Sequence, residues 1–200
     1  MKKIDRIEET ENVVSVSKAI ELVAQQIEST QKAWGNGSGI VPQILMDNIN
    51  VVMSYWTGCT YVGKRKEPVL ADAFQNFFNS LYQLLLMVRK SSNKKIRASA
   101  REALYEGTLY RYIGSSDKNH GSNHIEPEYD HYWVSWSKNA KIFNTEEHLY
   151  GAMTHLTCHT ENPKYGIDLV AFGQSLGAED EVIYPMVEEN IDRVEYIERD

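Results

Sequence analysis

Hydrophobic residues in the first half of the chain recur at steps of three and four, which places them on one face of a helix. The most regular stripe runs from Leu70 to Val88 and indicates a core-facing helix. Pro42 and Pro68 precede two of the stripes, where a first helical turn tolerates proline, and Gly107 ends a further short run. The pattern predicts helices around residues 16–27, 45–56 and 70–88, with a shorter helix over 99–106.

The second half of the chain consists of short runs rich in β-branched and aromatic residues, separated by turn-forming residues. Helices followed by strands are typical of an α+β fold. We therefore expect a helical lobe over residues 1–97 and a strand-rich core over 98–200, or a single compact domain. The predicted strands cover residues 108–113, 132–137, 153–160, 167–172, 181–184 and 194–197.

Charge and composition limit the classes of partner that we expect for the chain. The formal charge is −7, and the basic runs 64–66 and 89–97 are interpreted as solvated connectors, so no nucleic-acid partner is expected. Two distant cysteines, Cys59 and Cys158, suggest no disulfide framework. No apolar segment follows the basic start, and none reaches the roughly 18 residues of a membrane span. We expect a cytoplasmic protein without a membrane partner; export without a cleaved signal and the oligomeric state remain open.

Three short motifs follow one another in the strand-rich half. An arginine, Arg111, lies in a strand that reads Leu-Tyr-Arg-Tyr-Ile-Gly; a Ser-x-Ser triplet covers residues 135–137; and a Glu-x-Glu triplet covers 179–181. Each motif is common by itself, since a second Glu-x-Glu stands at residues 9–11 and a second Ser-x-Ser at 15–17. Only their combination and order carry information.

That combination resembles the arginine–serine–glutamate signature of the ADP-ribosyltransferase superfamily, in particular its mono-ADP-ribosyltransferases. In that family an arginine ends the first core strand and Ser-x-Ser lies on the second. Glu-x-Glu opens a later strand that reads Glu-Val-aliphatic-x-Pro, as residues 181–185 do. The resemblance covers roughly residues 100–200 and implies a mostly antiparallel, two-sheet core that binds NAD. The preceding helices fit the helical lobe that such domains often carry.

The resemblance assigns catalysis to two carboxylates. Cleaving nicotinamide from NAD builds positive charge on the ribose, and a fixed carboxylate stabilises that charge as it develops. Glu181 is the candidate for this role. Glu179, which lies on the same face if the segment is extended, would orient and help deprotonate the acceptor. A glutamate at this position is typical of family members that modify arginine.

The same resemblance assigns the contacts with NAD. Arg111 would bind the phosphates, because its planar guanidinium suits bidentate contacts. Ser135 would hydrogen-bond and orient Glu181 and the ribose, and Ser137 would support the same strand end.

Two further assignments concern nicotinamide and the acceptor. The family often has glycine directly after the arginine, where the backbone meets nicotinamide; here Tyr112 and Ile113 intervene before Gly114. Tyr112 and Gly114 are therefore assigned to this region by resemblance. Phe172 precedes the glutamates, where the family often presents an aromatic ring to the acceptor; a core phenylalanine is the alternative.

The sequence thus predicts an NAD-dependent mono-ADP-ribosyltransferase, a glycosyltransferase of toxin-like type, that releases nicotinamide and modifies a protein, with arginine as the expected acceptor. Two alternatives remain open. One is an inactive binding protein of the same fold, favoured by the missing glycine after Arg111, and the other is an NAD glycohydrolase. No metal is expected, because on a strand His155 and His159 share a face while Cys158 points away. A Cys–His nucleophile pair also stays open.

Overall fold

A computed structural model describes residues 2–35, 43–58, 68–115, 131–141, 152–174 and 180–197. The chain divides into two compact units, Met1–Arg101 and Glu102–Asp200. The first unit is helical and the second contains every strand of the described residues. A boundary at residues 97 and 98, as drawn from the sequence, lies inside the last helix of the first unit.

The helical unit contains the predicted stripes, and each of them is buried along its apolar face. Trp56 packs edge-to-face against Phe74 and Phe78, with ring centroids 5.0 and 4.8 Å apart, which is a favourable aromatic geometry. None of the described helices is long and apolar enough to cross a membrane. The helices are α1 (Lys2–Gly35), α2 (Gln43–Gly58), α3 (Pro68–Val88) and α4 (Lys94–Glu102).

The fourth helix begins earlier than the sequence predicts. The side-chain oxygen of Asn93 accepts hydrogen bonds from the backbone N–H groups of Lys95 and Ile96 at 3.0 and 3.4 Å, which is how an N-cap starts a helix. The prediction of helix up to residue 106 is wrong, because Leu104–Tyr105 forms a short strand instead.

The second unit is built around one sheet of seven strands in the order β1-β5-β6-β3-β2-β4-β7. All neighbouring strands are antiparallel. The strands are β1 (Leu104–Tyr105), β2 (Thr108–Ser115), β3 (Trp133–Ser137), β4 (Ala152–His159), β5 (Gly166–Asp168), β6 (Glu181–Pro185) and β7 (Ile191–Ile197). The fold is therefore mixed α+β with an antiparallel sheet, as predicted.

The expectation of two separate sheets is wrong. One register pair, Tyr110 opposite Ser137, joins β2 to β3. This pair connects strands β1, β5, β6 and β3 with strands β2, β4 and β7 in a single curled sheet. Beyond that pair, β2 stays hydrogen-bonded to β4 as far as Ser115, and β3 stays paired with β6 as far as Trp133. The sheet consequently opens between β2 and β3.

The strand predicted over residues 167–172 is shorter in the structure. Its last residue, Asp168, accepts a hydrogen bond from the backbone N–H of Val170 at 3.1 Å and starts a 3-10 helix, Leu169–Phe172. Gly173 ends that helix with φ of 71°, a left-handed conformation that glycine adopts without strain. The chain then leads towards β6 and the predicted glutamates.

Candidate functional site

The three motifs identified in the sequence lie on neighbouring strands. The glutamate strand β6, the serine strand β3 and the arginine strand β2 are adjacent in the sheet. Ser137, the last residue of β3, stands directly opposite Glu181, the first residue of β6. Cβ atoms of directly opposed residues lie about 4.5–5.5 Å apart in antiparallel sheets. The fold therefore brings the serine and glutamate motifs together at one end of their strands.

The two motif serines share a face of the sheet with Glu181, because side chains alternate along a strand and opposed residues point the same way. Trp136, between the serines, points to the other face, where it is buried with the apolar core. Its indole N–H donates to the carbonyl of Tyr184 at 3.1 Å. The bulk of this middle residue is therefore accommodated in the core, away from the serines.

Arg111 follows directly after Tyr110, the residue at which β2 and β3 pair. Its guanidinium Nη1 donates a hydrogen bond to the backbone carbonyl of Ser135 across the opening between the two strands. Arg111 stands opposite Leu156 of the apolar core, so this half-buried cation projects from the same face of the sheet as Trp136, opposite to the face of Ser137 and Glu181. A guanidinium at such an opening presents positive charge, the property that a phosphate ligand requires.

Glu181 is 7 % exposed and Ser137 is 5 % exposed. The hydroxyl of Ser137 accepts a hydrogen bond from the backbone N–H of Asn139 at 2.8 Å, which fixes the turn after β3. Burying a carboxylate costs free energy unless its surroundings stabilise the charge, so Glu181 differs from an ordinary exposed glutamate.

Glu179, the second predicted carboxylate, lies outside the described residues. The argument that placed it on the same face as Glu181 required an extended backbone between them. That requirement is not met, because Asp180 has φ of 44°, in the left-handed region. Strand alternation begins only at Glu181.

The residues after Arg111 make contacts of their own. The hydroxyl of Tyr112 donates to the carbonyl of Ala140 at 2.9 Å, and its ring stacks on His155 with centroids 4.4 Å apart. Burial, followed by the charge of Glu195, raises the pKa of Tyr112. Gly114 lies in β2 opposite Met153. The assignment of Tyr112 and Gly114 to a nicotinamide region stays a prediction.

Phe172 forms the last residue of the 3-10 helix and is 8 % exposed. This burial favours the alternative of a core phenylalanine over a ring presented to an acceptor. Val170, two residues earlier, is the large apolar side chain of that helix that is exposed to solvent, at 39 %.

One site-flanking residue went unassigned at the level of sequence. Lys138 directly follows Ser137, and its ammonium lies 2.9 Å from Asp168. Its backbone N–H donates to the carbonyl of Asp180 at 3.2 Å. In the sequence, the only feature that marks Lys138 is its position next to the serine motif. Its partners, Asp168 and Asp180, lie 30 and 42 positions further along the chain. Only the fold reveals this connection.

A second polar group lies on β4, where a metal or a Cys–His pair was considered. Cys158 is buried in the apolar core, and burial raises the pKa of its thiol to about 12, so it is not a nucleophile at neutral pH. His155 and His159 pair with Tyr112 and Thr108 on the opposite face. The described residues contain no group of three ligands suited to a metal ion.

The side chains of Thr108, His159 and Asp192 follow one another in the order of a nucleophile, a base and a carboxylate. The Thr108 hydroxyl lies 2.9 Å from its Nε2, and Asp192 contacts its Nδ1. Acyl-transfer chemistry also needs N–H donors for an oxyanion. The nearby backbone N–H groups of Gly107 and Thr160 are both engaged, at 2.8 and 3.1 Å. We interpret the group as a surface hydrogen-bond chain.

Comparisons with known proteins returned no match: none among protein-family models, none among curated proteins and none among solved structures.

Proposed function

We propose that the chain is an NAD-dependent mono-ADP-ribosyltransferase that cleaves NAD and transfers ADP-ribose to a protein arginine. The observation that supports this proposal best is the register of β3 and β6, which opposes Ser137 and Glu181, with Arg111 bound to the adjoining Ser135 carbonyl. Three motifs that are uninformative singly thus have members on three adjacent strands, with Arg111 on the opposite face of the sheet from Ser137 and Glu181.

The proposed reaction breaks the bond between the ribose C1 and the nicotinamide nitrogen. The bonding electron pair leaves with nicotinamide, and positive charge develops on the ribose, where the Glu181 carboxylate stabilises it. A guanidinium nitrogen of the acceptor then forms the new bond to C1 and loses one proton. Glu179 is the proposed group that helps to remove this proton. The products are ADP-ribosylated arginine, nicotinamide and H⁺.

The test measures nicotinamide release from NAD with and without agmatine, a small mimic of arginine, and compares the chain with its Glu181→Gln variant. We expect agmatine to accelerate release and the substitution to reduce it by about a hundredfold or more, since it removes an electrostatic stabiliser of the transition state. Glutamine is nearly the same shape as glutamate, so the variant should fold.

Product analysis separates the transferase from an NAD glycohydrolase. A transferase forms ADP-ribosylagmatine, whereas a glycohydrolase forms free ADP-ribose at a rate that agmatine leaves unchanged. If Glu181→Gln and the unaltered chain release nicotinamide equally fast, the assignment of Glu181 is wrong.

A second candidate function is NAD binding without turnover. The observation in its favour is the side chain of Tyr112, which stands directly after Arg111, where active family members often have glycine. Its hydroxyl is tied to Ala140 and its ring to His155, so the position is filled by protein. A binding protein of this kind would bind NAD but release no nicotinamide.

A further inference from the structure

Strand β7 forms one edge of the sheet. It pairs with β4 on one side, and its other side is not paired with any of the described strands. An edge strand presents backbone N–H and C=O groups that can pair with another chain. The opposite edge, β1, has two residues, whereas β7 has seven. Of the two described edges, β7 is thus the one long enough to receive a further strand.

The side chains at the middle of β7 are exposed. Val194, the central residue of Ile191–Ile197, is 37 % exposed although it is apolar. Arg193 and Glu195 flank it, with side chains that are 66 % and 37 % exposed, and contact each other within one chain. All three lie in the regular part of the β4–β7 ladder. Alternation therefore places the two charges on one face of the strand and Val194 on the other.

The charges of β7 favour one register for pairing with a second copy of the chain. With a two-fold axis through Val194, an antiparallel copy places Arg193 opposite Glu195 of the second copy. An axis one residue to either side would oppose Arg193 to Arg193 or Glu195 to Glu195, and like charges directly opposite are destabilising. Since Val194 is also the midpoint of Ile191–Ile197, the register that matches the charges pairs the strand over its full length.

We propose that β7 is a dimer interface, at which a second copy of the chain extends the sheet by antiparallel pairing about Val194. Such an interface is isologous, so each copy contributes the same patch and the contact between Arg193 and Glu195 occurs twice. Backbone hydrogen bonds provide the affinity and the charges specify the register. A seven-residue strand buries less surface than a standard interface, so we expect a dissociation constant on the order of micromolar.

The first test measures the mass of the full chain by analytical ultracentrifugation between about 1 and 100 μM. At the upper end we expect twice the 23.0 kDa of one chain. Arg193→Glu and Glu195→Arg, each alone, create like charges across the axis and should weaken dimerisation by about tenfold or more. The double variant Arg193→Glu/Glu195→Arg should restore the dimer, because the signs are again opposite. The matched control is Lys164→Glu, which reverses the cation of another exposed ion pair, that with Glu106 at 3.3 Å, and should change nothing.

A disulfide test locates the axis. In a chain that carries Cys59→Ser, the remaining native thiol, Cys158, is buried. Adding Val194→Cys places two cysteines opposite each other with Cα atoms about 4.5–5.5 Å apart, a separation that a disulfide spans. Oxidation should then yield a covalent dimer on a denaturing gel. The matched control is Val170→Cys, since Val170 is 39 % exposed but lies on the 3-10 helix, and it should yield no such dimer.

A chain that stays monomeric at about 100 μM overturns the proposal. A dimer that withstands both single reversals and forms no disulfide in Val194→Cys also overturns it, because its interface then lies elsewhere. Circular dichroism checks that each variant is folded. If a single reversal fails to fold, the double variant and Val194→Cys, which changes no charge, still decide the question. None of these measurements uses NAD, so their outcome is independent of the proposed function.

Discussion

At the scale of single residues, burial decides which groups are chemically available. Cys158 and Tyr184 both lie in the apolar core, where burial raises the pKa of each to about 12. A low dielectric disfavours the charged thiolate and phenolate. Cys158 is consequently a small hydrophobic residue at physiological pH, although its neighbour His159 in the sequence suggested a nucleophile pair.

The raised pKa values predict that the protein loses stability in alkali. Below about pH 8 the folded and unfolded states hold the same protons on these groups, since their ordinary pKa values are 9.0 and 10.0. From there to about pH 12 the unfolded state binds fewer protons, so the free energy of unfolding falls as the pH rises. Each group lowers it by at most about 1.4 kcal/mol per pH unit.

Urea denaturation at several pH values checks this expectation. Between about pH 9 and pH 10 the Cys158→Ala variant should lose less stability than the unaltered chain, because the variant lacks the thiol and the two proteins share every other titrating group. Parallel stability curves for the two proteins would contradict the raised pKa of the thiol.

At the scale of elements, successive residues of strand β3 point alternately into the apolar core and towards the candidate site. Trp136 fills the core, whereas Ser135 points to the opposite face. Trp136→Ala should therefore lower the free energy of unfolding by about 3–5 kcal/mol through the cavity that it leaves. Ser135→Ala should change it by less than about 1 kcal/mol. Chemical denaturation of both variants measures the difference, and equal losses would contradict this division of the strand.

Strand prediction from the sequence succeeded for runs of several residues rich in β-branched and aromatic side chains. Strands β2, β3, β4 and β6 lie within one or two residues of their predicted bounds. It failed for β1, because two residues carry no recognisable period, and after Asp168, because a side-chain hydrogen bond redirects an apolar run into a 3-10 helix. Side-chain hydrogen bonds of this kind compete with strand formation, and the hydropathy pattern of the sequence does not reveal them.

At the scale of the whole molecule, the described candidate-site residues belong to the unit Glu102–Asp200. A ligand that binds the folded chain stabilises it by mass action, by about 2.7 kcal/mol when its concentration is a hundred times its Kd. We expect millimolar NAD to raise the melting temperature. Arg111→Lys should reduce that shift, since an ammonium cannot make the bidentate phosphate contact.

The control for this titration is Glu181→Gln, which should keep the shift because Glu181 is assigned to the transition state rather than to binding. A shift in the unaltered chain without nicotinamide release would favour the binding protein over the enzyme. The absence of any shift would contradict the NAD site itself.

The sequence by itself determined the order of helices and strands, the apolar faces that they bury and the three motifs worth examining. These properties are local, since they depend on periodicity and on neighbouring residues. Tertiary structure decided that the motif strands are neighbours, that one register pair unites the sheet and that Lys138 reaches Asp168 and Asp180. Such contacts join residues far apart in sequence, and no local pattern specifies which strands will pair.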